Sequence, residues 1–181
     1  DFILSLSHDE VVHGKGSMLG KMPGETLEMK AANLRAAYGF MLTHPGKKHL
    51  FMAQDFGQLD EWDEHKGIQW ELLQYPLHKN LQEYVKALLA LYRSEPALYA
   101  LDYDPAGFEW INCTRWEESI VVFLRRSRKT EETLIIVCNF DTVSYDKFTF
   151  GVPMEGKYKE IFNSDSLKFG GTGYVKKKKK A

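Results

Sequence analysis

The hydrophobic period of this chain changes once, near residue 105, and no single regular architecture accommodates both sides of the change. Before it, residues 77–94 set Leu81, Tyr84, Val85, Leu88, Leu89 and Tyr92 along one side of a helix. Ser94-Glu95-Pro96 stops that helix, because a residue ahead of proline is pushed out of helical geometry. After the change the period is two. Phe108-Glu109-Trp110-Ile111 and residues 119–124, 133–138, 146–150 and 158–162 read as short strands between charged or glycine-bearing turns. That is the pattern of an antiparallel sandwich. The boundary falls at residues 102–105, with an α/β part ahead of it and an all-β part behind.

The α/β part has its own internal logic. Residues 26–43 repeat Leu27, Ala31, Leu34, Tyr38, Met41 and Leu42 at helical spacing, with Glu25 and Glu28 near the start, and His44-Pro45-Gly46 ends the run. An apolar run precedes this helix at residues 2–6, and another follows it at 48–53, which opens into the polar pair Gln54-Asp55. Strand, glycine-rich loop, helix and strand make one βαβ unit, the building block of a parallel barrel. The loop from 54 to 76 is long and carries Trp62 and Trp70. Loops of that length are functional or disordered, and two tryptophans argue for order.

The first apolar run ends abruptly in Ser7, His8, Asp9 and Glu10. In an α/β barrel the working residues stand at the C-terminal ends of strands, where these would fall. The same residues also read as a strand end capped by an Asx turn. His8 and His13 do not read as a metal site. Their i, i+5 spacing would set the rings roughly 140° apart on a helix, so they cannot share an ion from one face. With 24 Lys+Arg against 25 Asp+Glu, the net charge of −1 leaves no nucleic-acid footprint. No stretch reads as a membrane span or a signal peptide. Cys113 and Cys138 lack CxxC partners and read as buried thiols on separate strands in a reducing compartment, which points to the cytoplasm. Asp1 leads straight into a strand without an initiating methionine, so the chain is expected to be cut from something longer.

Ser7-His8-Asp9-Glu10-Val11-Val12-His13-Gly14-Lys15 resembles the strand-seven motif of glycogen branching enzymes, members of the α-amylase superfamily. The His-Asp core is shared across the superfamily, and the Val-Val-His-Gly-Lys extension is far more specific. Four further stretches are similar to the same family, in family order: Gly20-Lys21-Met22-Pro23-Gly24, His44-Pro45-Gly46-Lys47-Lys48, Tyr92-Arg93-Ser94-Glu95-Pro96-Ala97-Leu98 and Phe108-Glu109-Trp110-Ile111. The resemblance implies α/β plus all-β: the last two β/α units of a TIM-type barrel over residues 1–104, then an antiparallel β-sandwich domain over 105–175, both incomplete. The run Lys176 to Lys180 with Ala181 departs from the family and reads as an artificial or aberrant end ahead of a functional tail. The family's usual glycine and glutamate are replaced by Ala53 and Asp55, and a common proline by Ser5.

The resemblance makes Asp9 the transition-state stabiliser, a third carboxylate accepting hydrogen bonds from the hydroxyls of the sugar at the cleavage point. His8 would donate to the same sugar, and Gln54, Asp55 and Trp62 are further substrate-binding candidates. Trp62 and Trp70 would either stack on glucose rings or pack the long loop. Glu10, His13 and Lys15 either face the pocket or hold their loop. The partner implied is α-1,4-glucan (glycogen or amylose), with no cofactor and no metal. Nucleophile and acid/base lie, in the family, on strands preceding Asp1, so the isolated chain is expected to be inactive. Its open barrel edge, with Leu4, Leu6, Leu50 and Met52, would favour self-association. The competing readings are a hydrolase or trehalose-releasing enzyme of the same superfamily, and a non-catalytic glucan-binding fragment.

Overall fold

The computed structural model describes residues 3, 5–114, 116–145 and 147–174; Leu4 and the basic tail at 176–181 lie outside them. Three helices lead. Helix α1 (Met18–Lys21) is a single turn whose N-cap Ser17 accepts from the Gly20 amide. Helix α2 (Leu27–Thr43) starts on Thr26, whose hydroxyl accepts the Met29 amide at 3.3 Å, and Glu28 sits in its first turn. Helix α3 (Pro76–Ser94) opens with proline at its first position, where the missing N–H is no loss. It buries His78, Leu81, Tyr84, Val85 and Leu88 as one stripe.

Helices α2 and α3 pack closely because Gly39 lies under Tyr84. A methyl group at residue 39 would stand 2.9 Å from the Tyr84 hydroxyl. That hydroxyl donates to the Arg35 carbonyl at 2.6 Å, and Tyr38, one turn on, donates to the Gln54 carbonyl at 2.9 Å. Both phenols therefore satisfy in the core the polar atom their rings bring with them. The core built here runs from Val11, Met18 and Leu19 through both helices to Phe169. The far end of the chain closes it: Phe162 and Phe169 pack on the Tyr84 ring, and Arg35 donates to the Ser164 carbonyl across 129 residues.

The second part is a three-stranded antiparallel sheet in the order β1 (Phe108–Asn112), β2 (Ile120–Arg126), β3 (Thr133–Asn139). The β1–β2 register shifts between Trp110 and Asn112, and β2–β3 runs without irregularity. Central β2 buries Ile120, Val122, Phe123, Leu124 and Arg125. Phe123 meets Phe40, His44, Phe108 and Trp110 in one aromatic cluster, which seats the sheet on the end of α2. Beside it Arg125 is fully buried. Its guanidinium donates to Thr43 O at 2.6 Å, Leu98 O at 3.0 Å, Gly107 O at 3.3 Å and the Asp102 carboxylate at 2.5 Å. The planar fork reaches four acceptors that a lysine could not reach together.

Several expectations are corrected. No parallel strand pair occurs among the described residues: residues 48–53 lie in no strand, and of the strand expected at 2–6 the described residues 3, 5 and 6 lie in none, Phe2 and Leu4 being outside the described residues. A parallel strand draws its hydrogen bonds from flanking strands, and the described backbone offers none at either place. Leu6 and Leu50 lie half-buried on the helical core, while Met52 is 55% exposed. Residues 147–150 and 158–162 join no ladder, Asp146 lying outside the described residues, and among the described residues one antiparallel sheet forms in place of two packed ones. Cys138 is buried as expected, but Cys113 follows β1 into an exposed turn.

Candidate functional site

The sequence Ser7-His8-Asp9-Glu10 folds as a capped turn, and its capping comes from within the motif. His8–Glu10 form one 3₁₀ turn on the N-cap Ser7. The Ser7 hydroxyl accepts the Asp9 amide at 3.2 Å, and the Glu10 carboxylate accepts the Ser7 amide at 2.8 Å. This reciprocal box satisfies two N–H groups the turn would leave open. It assigns Glu10 a structural role, and it leaves His8 and Asp9 pointing outward. Their side chains are 58% and 68% exposed, with His8 Nε2 3.2 Å from Asp9 Oδ1. Lys15 donates to the Asp9 carbonyl at 2.6 Å and Lys21 to the Glu10 carbonyl, so both lysines bind the turn's backbone.

The loop after the turn is wound through left-handed backbone at His13 (φ 60°), Gly14 (φ 81°) and Gly16 (φ 70°). A non-glycine residue there costs about 1–2 kcal/mol, and the loop is held from across the cleft. Glu61 accepts the Gly14 amide at 2.9 Å and the Gly16 amide at 2.6 Å, while the Trp62 amide donates to Val11 O at 3.0 Å. These amides, Gly14's first, keep the Glu61 carboxyl below the usual carboxylate range, with His13 and Lys21 adding smaller attractions.

Between the two segments lies an open cleft of about 610 Å³, walled by His8, Val12 and His13 on one side and by residues 60–66 on the other. That volume lies within the range of small-molecule sites. Trp62 is partly buried, its ring edge-on to Phe51 at 5.3 Å, and Phe51 in turn meets the His8 ring at 6.1 Å. One aromatic row therefore backs the histidine. Trp70 lies elsewhere, tilted against Phe56 at 5.5 Å.

The five residues expected to form the site divide. His8 and Trp62 meet at the cleft, and Asp9 adjoins it through His8. Gln54 and Asp55 do not face it. Gln54 is buried, accepting from the Phe51 amide at 3.3 Å and donating to Ser7 O at 3.5 Å, so it ties the two motif ends together. Asp55 turns to α3 and accepts from Gln82 at 3.1 Å. Between Gln54 and Trp62 is a void of about 10 Å³, enough for one water and no sugar. Ala53, where the resemblance leads one to expect glycine, has φ 59°, the backbone that favours glycine. Nothing in the sequence singles out Glu61. An acid beside a tryptophan in a charged loop gives no sign that two glycine amides 45 and 47 residues away will meet it. No group of three His, Cys, Asp or Glu among the described residues is arranged to hold a metal ion.

Comparison with known proteins gives a consistent picture. Residues 110–181 match the family model described as alpha amylase, C-terminal all-beta domain. The chain is 50% identical over 178 residues to the 1,4-alpha-glucan branching enzyme GlgB of Geobacillus stearothermophilus, covering 98% of this chain and 28% of that protein. Against the enzyme of the same name from Aquifex aeolicus the identity is 49% over 96% of the chain, and against that from Synechococcus elongatus 51% over 95%. The matched region is the C-terminal part of these relatives, 22–28% of their length.

Proposed function

We propose that this chain, a relative along nearly its whole length of the C-terminal part of 1,4-alpha-glucan branching enzymes, serves as that part of an enzyme of the same activity. The reaction cuts an α-1,4-glucan and rejoins the cut piece through an α-1,6 bond. The observation that carries the reading is identity near one half over 98% of the chain.

In this reading the nucleophile and the acid/base carboxyl come from the polypeptide ahead of Asp1. Such a transfer runs through an oxocarbenium-like transition state, and hydrogen bonds to the sugar hydroxyls that tighten there lower the barrier. Asp9, exposed and ionisable at the cleft's edge, supplies acceptors for those hydroxyls, and His8, backed by Phe51, supplies a donor. Trp62 contributes through Phe51 and the Val11 contact. The barrel reading of residues 1–104 rests on the resemblance of the Ser7–Lys15 motif to the strand-seven motif of that family and on the similarity to the relatives along that span. The antiparallel sheet and the family match over 110–181 support the β-domain reading of 105–175. No helix among the described residues is long and apolar enough to cross a membrane. In this reading the enzyme is cytoplasmic and acts on glycogen.

The test uses the complete polypeptide that carries this chain, incubated with amylose while iodine colour and α-1,6 linkages are followed. Colour should fall as α-1,6 bonds appear, without a proportionate release of reducing ends. Asp9→Ala should abolish turnover through kcat far more than through KM. Reducing ends in proportion would favour the hydrolase reading, and Asp9→Ala at near-full kcat would remove that residue from the mechanism. The isolated chain should do neither reaction, since Asp9 cannot act as both nucleophile and proton donor.

A further inference from the structure

We infer that Glu61 is a positioning residue for the reaction at this cleft: its carboxylate, by accepting the Gly14 and Gly16 amides, locks the left-handed loop that follows His8 and Asp9 to the opposite wall. The inference rests on the branching-enzyme reading above. Two independent contacts carry it. The two amides converge on one side chain at 2.9 and 2.6 Å, from residues whose φ angles of 81° and 70° an unheld loop would keep only by virtue of being glycine. The neighbouring Trp62 amide reaches Val11 O at 3.0 Å, and its ring continues through Phe51 to His8. Residues 61 and 62 thus hold the segment after the 3₁₀ turn, from Val11 to Gly16, and reach the His8 ring within the turn through Phe51.

Position matters here because a donor or acceptor aimed at a sugar acts only in the right place, and small displacements are expensive in rate. A carboxylate can take both amides at once. A glutamine can take one with its oxygen, but its NH₂ faces the other donor. Aspartate is one methylene short of spanning the cleft.

Glu61→Gln and Glu61→Asp are compared with wild type in the complete polypeptide, with Glu83→Gln, from an exposed ion pair on α3, as control. Amide exchange over residues 11–16 reads the clamp; branching of amylose reads its effect. The expected result is faster exchange at Gly14 and Gly16 with unchanged exchange over 120–126, and kcat down roughly 10-fold or more with KM little moved. The control should match wild type in both. Unchanged exchange in Glu61→Gln overturns the clamp. Faster exchange with kcat retained within about twofold overturns the positioning role and leaves Glu61 a loop tether. A wild-type polypeptide that fails to branch amylose overturns the branching reading and the catalytic half of this inference, while exchange still decides the clamp separately.

Discussion

Arg125 is the residue on which most of the structure converges. Its side chain is fully buried, and its four acceptors come from the end of α2, the turn at Pro96–Leu98, the Asp102 carboxylate and the turn at Pro105–Gly107. Removing one partner of such a group is worse than never having the pair, because the others stay buried without it. Arg125→Met should therefore lower the free energy of unfolding by roughly 3–5 kcal/mol, read from urea denaturation with an unchanged slope. A loss under about 1 kcal/mol would mean that water reaches those carbonyls in the native state. Nothing in the sequence marks this arginine. Ile120 to Leu124 announces a buried strand, and a charged residue at its end reads as the point where the strand meets solvent. The Ser7–Glu10 box differs, since serine followed three residues later by glutamate is a recognised capping pattern. It is legible in the sequence, although the apolar run ahead of it equally reads as a strand that ends there.

Gly39 sets the approach of α2 to α3, so the two helices respond to it as one unit. Glycine inside a helix ordinarily costs up to about 1 kcal/mol against alanine, and Gly39→Ala should be stabilising on propensity alone. Here the new methyl would stand 2.9 Å from the Tyr84 hydroxyl, and overpacking a tight contact costs roughly 1–3 kcal/mol. The net expectation is destabilisation of about 1 kcal/mol, seen as a lower urea midpoint. Tyr84→Phe removes the obstructing oxygen, so the double variant should recover part of the loss, a coupling that independent sites would not show. Helix existence was plain in the sequence for both elements, because each carries a long 3.6-residue repeat. The three laddered strands were plain for a similar reason. Residues 147–150 and 158–162 alternate just as well, yet alternation reports which side of a strand is apolar and says nothing of whether a neighbour pairs with it.

At the scale of the molecule, the buried phenols, the buried thiol and one histidine set the pH range of stability. Burial, helped by Asp102, pushes the Tyr92 phenol up to about 12, and burial pushes the Cys138 thiol up to about 12. Tyr38 and Tyr84 are raised as well, burial being the main cause. In the unfolded chain these groups ionise from about pH 9–10, while the folded protein keeps their protons. Their contribution is thus complete below that range and is lost as pH climbs toward their folded values. Lys48 acts oppositely: burial lowers its ammonium to about 8, so stability gains from that one group between about pH 8 and its unfolded value. Four groups outweigh one, and the urea midpoint should be lower at about pH 11.5 than at about pH 8.5. His44 sets the acid side. Burial lowers its pKa, the Pro45 carbonyl opposing, so stability present above its unfolded value falls away below about pH 6.5. A flat profile from pH 5 to 11 would show that these sites are hydrated in solution.

The contact of Arg35 with Ser164, and the closure of the Tyr84 ring by Phe162 and Phe169, also has a temporal side. On the ribosome α2 and α3 emerge long before residues 162–169, so the nascent helices leave the exit tunnel with one aromatic face still bare. Their pairing can begin at Gly39, but its last layer must wait for roughly 70 more residues of synthesis, several seconds at ordinary elongation rates. During that interval the exposed ring is a point where a chaperone can act, and where a translational pause could change how much of the product folds.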